Sequence, residues 1–205
     1  GTNSIPSFVT SNTTNATISS TITATPVYTN AGLGCTGAST TFTIAVNPIP
    51  TVNAVSNQTI CVGGSTTLVT PTGNVVGTVY NWTNSNTAVG LAASGTGNIP
   101  AFVPENTSSG PITATITVTP TVNGCPGPSQ SFTITVDPTP IITLQADYCA
   151  VDGSVLLVAS SNVTGTTWLW NTGETSSSVL VNIAGTYSVT ATSPDGCTST
   201  SSISI

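Results

Sequence analysis

The chain has 205 residues without a Lys, Arg, His or Met, and six acidic side chains leave a formal net charge of −6. Ser–His–Asp, Cys–His and Ser–Lys catalysis lack their base, and phosphate clamps lack their cations, which excludes the usual chemistry for nucleotides and nucleic acid. Paired carboxylates could still serve a glycosidase, but Glu105, Asp137, Asp147, Asp152, Glu174 and Asp195 are thinly spread, and the chain reads as no enzyme.

The 43 Thr, with 19 Gly and 14 Pro, favour strands joined by many turns. No segment holds a helical apolar period over three turns, whereas alternation is plain in "ITATITVT" (112–119) and "SFTITVD" (131–137). No apolar run is long enough to cross a bilayer as a helix. The expectation is an all-β protein: tandem immunoglobulin-like or PKD-like β-sandwiches in an elongated array.

Taken in chain order, residues 1–48 offer "PSFV" (6–9), "STITATP" (20–26) and "TFTIAV" (41–46) as strands. "NPIPTV" (47–52) then marks a boundary, because two prolines one residue apart make a short, stiff linker. Residues 49–138 offer strands at 51–55, 65–70, 78–84, 99–103, 112–119 and 131–137, the signature of a complete sandwich. Tyr80 and Trp82, two apart on the third of these, are read as core aromatics. "DPTPII" (137–142) repeats the boundary, and residues 139–205 form a further sandwich. Its strands include "GSVLLVAS" (153–160) and "TTWLWN" (166–171), with Trp168 and Trp170 on one face. Tyr187 alternates inward in "AGTYSVTATSPDGC" (184–197), Pro194-Asp195-Gly196 turns the chain, and "STSSISI" (199–205) is the last strand.

The chain also repeats itself. Ile5, Pro6, Phe8, Ile18, Ile22 and Pro26 fall on Ile99, Pro100, Phe102, Ile112, Ile116 and Pro120 at an offset of 94. "CTGASTTFTIAVNPIP" (35–50) falls on "CPGPSQSFTITVDPTP" (125–140) at an offset of 90, and the four residues lost belong to a hairpin loop. Residues 1–48 are therefore expected to be the C-terminal part of a sandwich whose first half is supplied by upstream chain, which the position of Cys35 favours, or by strands inserted from another chain, and the chain a part of something longer.

The five cysteines are read against these units. Cys61 and Cys149 each stand ahead of a second strand, and Cys125 and Cys197 each stand before a last strand. Equivalent placement predicts disulfides Cys61–Cys125 and Cys149–Cys197, each inside its own sandwich. Cys35 matches Cys125 and is left unpaired. A metal site is not expected, with no His and no Cys-x-x-Cys, and no cofactor is implied. Asn-x-Ser/Thr triplets at Asn12, Asn15, Asn57, Asn81, Asn106 and Asn162 carry little weight in so Thr-rich a chain. Asp137 at a boundary invites calcium, but its counterpart is Asn47 and acidic clusters are lacking.

"NQTICVGGSTTL", "YNWTNS", "ITATITVTPTVNGCPGPSQSFTITVDPTP" and "WLWNTGETSSSVLVNIAGTYSVTATSPDGCTSTSSISI" resemble the PKD-like and Ig-like repeats of large Bacteroidota surface proteins, including gliding-motility adhesins of the SprB type. The resemblance implies export by the type IX system, an extracellular stalk or filament at the cell surface, and attachment to substrata. The partners it implies are neighbouring repeats, other copies in a filament, and surface polysaccharide or substratum, with no nucleic acid and no membrane insertion. A binding module for carbohydrate or protein, within a secreted protein, is the alternative; it calls for an exposed aromatic or acidic patch.

Overall fold

The computed structural model describes residues 4–148 and 153–205; Cys149 and Asp152 lie outside them. The chain is all-β, its sheets packed as sandwiches, and its one described helical turn is Thr87–Val89. Strands β1 (Ile18–Ala24) and β4 (Thr40–Val46) form a two-stranded antiparallel sheet, and between them β2 (Val27–Asn30) and β3 (Leu33–Thr36) form a hairpin.

The central sandwich is built on β5 (Gln58–Cys61), β6 (Val79–Asn84), β7 (Ser94–Thr96), β8 (Ile112–Val122), β9 (Cys125–Pro126) and β10 (Gln130–Asp137). Their order is β5-β10-β8-β6-β7, with β9 on the end of β8. Only β5 runs parallel to its neighbour, with Cys61 opposite Asp137. In β8 the alternation works as the pleat demands. Ala114, Ile116 and Val118 are buried with Phe132, Ile134 and Val136 of β10, and Trp82 joins them. On the outer face hydroxyls pair across strands: Thr113 with Thr135 at 3.1 Å, Thr117 with Ser131 at 2.9 Å, Thr119 with Ser129 at 2.8 Å. In a chain without cations, these contacts take the place that ion pairs hold on ordinary sheets.

The opposite layer is looser than the sequence suggests. Segments 51–55, 65–70 and 99–103 form no ladder and share one bridge, Val69 with Ile99. A few backbone bonds join them, Thr66 N–H to Phe102 O at 2.9 Å among these, and side chains supply others. Buried Thr66 accepts from Phe102 N–H through Oγ1 at 2.9 Å, and the Gln58 amide accepts from Thr67 N–H at 2.8 Å while donating to Thr67 O at 3.3 Å. Each polar side chain satisfies groups that a strand partner would otherwise hold.

The C-terminal sandwich faces two three-stranded sheets. One is β11 (Ile142–Asp147), β12 (Val155–Ser161) and β14 (Ser178–Val181); the other is β13 (Thr167–Trp170), β15 (Thr186–Thr192) and β16 (Thr198–Ser204). Its core holds Val155, Leu157, Ala159, Trp170, Val179, Val181 and Val189.

The repeat is visible as register. Ile18 pairs with Val46 and Ile22 with Phe42 in the first sheet, as Ile112 pairs with Val136 and Ile116 with Phe132 in the central one. Gly37 N–H donates to Pro26 O as Gly127 N–H donates to Pro120 O, both at 2.9 Å. Beyond these anchors each arm of the β2–β3 hairpin is two residues longer. Cys35, opposite Tyr28, and Cys125, opposite Val122, keep the same place in the ladder.

Candidate functional site at the junctions

The two proline boundaries are packed structures. Pro48 and Pro50 are fully buried, and Pro138 and Pro140 are buried as well. At the first junction Thr51 N–H donates to Asn74 Oδ1 at 2.8 Å; at the second Ile141 N–H donates to Asn162 Oδ1 at 2.7 Å. Both asparagines open an Asn-Val-x-Gly-Thr turn: Thr78 Oγ1 donates to Val75 O and Thr166 Oγ1 to Val163 O, both at 2.7 Å. Gly77 and Gly165 supply the positive φ, 80° and 75°, that the turn requires.

A second contact is also repeated. Gly127 lies so close to Pro50 O that no Cβ fits between them, whereas Ser199 Oγ donates to Pro140 O at 2.5 Å. Two residues earlier in each loop stand the cysteines. Cys125 Sγ lies 3.9 Å from Asn47 Nδ2, and Cys197 Sγ lies 4.0 Å from Asp137 O. Asn47 and Asp137 are counterparts in the repeat. Burial raises the Asp137 carboxyl above the ordinary aspartate range, and the negative charge of Asp195 adds to the effect.

The disulfide corrects the expected pairing. Cys61 is bonded to Cys197, across the second junction, at a sequence separation of 136; Cys35 and Cys125 are free thiols. Cys61–Cys125 is ruled out by strand geometry. Cys61 lies beside Asp137, one residue past the Val136–Ile112 pair, whereas Cys125 lies opposite Val122 at the far end of β8. Ten residues of strand separate those ends by roughly 30 Å, and a disulfide needs Cα atoms within about 7 Å. The expected Cys149–Cys197 bond is displaced as well, because Cys197 is taken by Cys61.

Trp82 and Trp170 are 5% and 1% exposed, and Tyr80, Trp168 and Tyr187 are half-buried against the same cores. Trp170 Nε1 donates to Ser176 O at 3.0 Å and Tyr187 Oη to Ile183 O at 2.7 Å. The Trp82 ring is capped by Gly95 of β7, again with no room for a Cβ. Asn12 and Asn106 are structural. Asn12 Nδ2 donates to Ala16 O and Val46 O, both at 2.8 Å, and Asn106 Nδ2 donates to Gly110 O and Val136 O at 2.9 and 2.8 Å. The nitrogen that would carry a glycan is committed in both loops. Among the described residues no group of three or more Cys, Asp or Glu is placed to hold a metal ion, and no helix is long and apolar enough to cross a membrane.

The sequence could have shown the junctions. The Asn-Val-x-Gly-Thr turn occurs at 74–78 and 162–166, each ahead of the tryptophan strand of its sandwich, but it carries no catalytic residue type and draws no notice.

The PKD-like domain family matches residues 58–140. No curated protein matches the sequence. Among solved structures, DIP-gamma IG1+IG2 is similar at 12% identity, over 77% of this chain and 96% of that one, with a TM-score of 0.41. The Sidekick-1 immunoglobulin domains 1–5 are similar at 10% identity, over 93% and 57%, with a TM-score of 0.41. The protocadherin Gamma B7 extracellular cadherin domains 1–4 are similar at 10% identity, over 91% and 57%, with a TM-score of 0.34. The likeness is one of fold alone.

Proposed function

We propose that residues 1–48, 49–138 and 139–205 are successive units of a stalk: the C-terminal part of a PKD-like sandwich, a complete PKD-like sandwich and an Ig-like sandwich. The stalk belongs to a large secreted adhesin or filament at the cell surface and spaces an adhesive part from the cell. The observation that carries this reading is the repetition of one junction chemistry, with buried prolines, an asparagine-capped turn and a close loop contact at both boundaries. A packed, proline-stiffened junction fixes the angle between neighbours, and a spacer needs that property where an enzyme does not. The tryptophans, where a sugar platform would be sought, pack into the cores instead. Membership of a Bacteroidota gliding adhesin exported by the type IX system is the finer form of the same proposal and follows the sequence resemblance.

Small-angle scattering from residues 1–205 tests the stalk. Units held end to end give the distance distribution of a rod; a near-spherical particle would overturn the reading.

A further inference from the structure

The second junction has one feature that the first lacks. At the second, β5 lies along the free edge of β10, and its last residue, Cys61, reaches Cys197 of the following sandwich. At the first, β4 pairs only with β1, and its other edge carries no strand among the described residues. A cleft of about 520 Å³ lies at the C-terminal end of β4, lined by Asn12, Thr13, Val46, Asn47, Ile49 and Cys125. Three features of this region have counterparts at the second junction. Asn47 stands for Asp137, which faces Cys61 in the parallel ladder. Asn12 bonds Val46 O as Asn106 bonds Val136 O. Cys125 lies against Asn47 as Cys197 lies against Asp137.

We propose that this cleft is the seat of a second β5-type strand, running parallel to β4 and ending in a cysteine that bonds Cys125. The occupant is an earlier segment of the same polypeptide, since β5 likewise precedes β8 and β10 in the central sandwich. The disulfides of the array are then staggered, each joining the β5-type cysteine of one unit to the hairpin cysteine of the next. Cys35, the hairpin cysteine of the first unit, takes its partner from the unit before and has no role in this cleft. Bond formation removes one proton from each thiol and two electrons from the pair; a small-molecule disulfide accepts them and leaves as two thiols. The inference rests on the reading of repeated units but not on a rod shape, so disulfide mapping and scattering fail separately.

The offset of 94 supplies the test. Residues 49–94 are joined ahead of residue 1, so that a copy of the central unit's first half precedes β1 in the full chain. After oxidation by glutathione disulfide, peptide mapping should find the added copy of Cys61 bonded to Cys125, with Cys61–Cys197 retained. Finding it bonded to Cys35, or free while Cys61–Cys197 forms, overturns the proposal. A second measurement uses the chain without the addition. A peptide of residues 54–64, activated at its cysteine as an aryl disulfide, should label Cys125 ahead of Cys35 by roughly tenfold, because docking raises its local concentration. Cys35 is the more exposed thiol. Equal labelling, or faster labelling of Cys35, overturns the proposal.

Discussion

The two junctions share a plan and differ in what secures them. The first is held without a covalent link, by the Thr51–Asn74 hydrogen bond and by Asn47, Pro48 and Pro50 packed against Cys125 and Gly127. The second replaces Asn47 by a buried carboxylate and Gly127 by a hydroxyl that reaches its proline carbonyl, and adds a covalent bond across the boundary. The difference teaches where the staple acts. It fastens neighbours to each other and leaves each core to its own apolar contacts.

The largest effect should come from breaking the staple. Closing a loop of 136 residues is worth about 5 kcal/mol in the chain-entropy model. Cys197→Ser should therefore lower the thermal midpoint of the C-terminal sandwich and raise amide exchange at 58–62 and 137–141, while the first junction is unchanged. The variant and the parent should coincide in excess dithiothreitol.

Gly127→Ala should act on the first junction alone. With no space for a Cβ beside Pro50 O, the hairpin must move off the linker, at about 1–3 kcal/mol by the usual cost of overpacking. Limited proteolysis at 47–52 should accelerate. Ser199→Gly, its counterpart, should lose only a hydrogen bond, about 1 kcal/mol, read as a smaller shift in urea midpoint.

Asp137→Asn makes the second junction resemble the first in charge. Because burial and Asp195 raise the folded pKa, the folded state binds the proton more tightly than the unfolded one. Stability from this group is present below the unfolded aspartate pKa and is lost as pH rises through the folded one. The asparagine variant should thus be the more stable at pH 8, gaining less or nothing at pH 3, as denaturation by urea at both values would show.

The smallest change concerns the hairpins that carry the free thiols. Ala31 sits at a φ of +48°, where Asn123 stands in the equivalent turn, also at +48°. Ala31→Asn should stabilise the β2–β3 turn by about 0.5 kcal/mol, seen as slower amide exchange there.

Much of this plan was legible in the residues. Alternation placed β8 and β10, and the two offsets aligned Ile18 with Ile112 and Val46 with Val136, residues that the structure puts at matching places in the two sheets. Short strands were not legible: β5, β7 and β14 have three or four residues, too few for a period to declare itself. Segments 51–55, 65–70 and 99–103 looked like strands because their composition suits one, but Thr66 and Gln58 serve the backbone groups that a ladder would have used. The cysteines misled for a geometric reason. Equivalent positions show which residues correspond but not at which end of a strand they lie, and Cys61 and Cys125 lie at opposite ends of the central sheet.

Disulfide mapping of the oxidised chain tests the central claim most directly. With no Lys or Arg the chain has no tryptic sites, so digestion with pepsin at low pH is the suitable cleavage, and it also suppresses exchange. The account predicts one linked pair of peptides that holds Cys61 with Cys197, and unlinked peptides for Cys35 and Cys125. Peptides linking Cys61 to Cys125 and Cys149 to Cys197 would contradict it, because each staple would then close within a single unit.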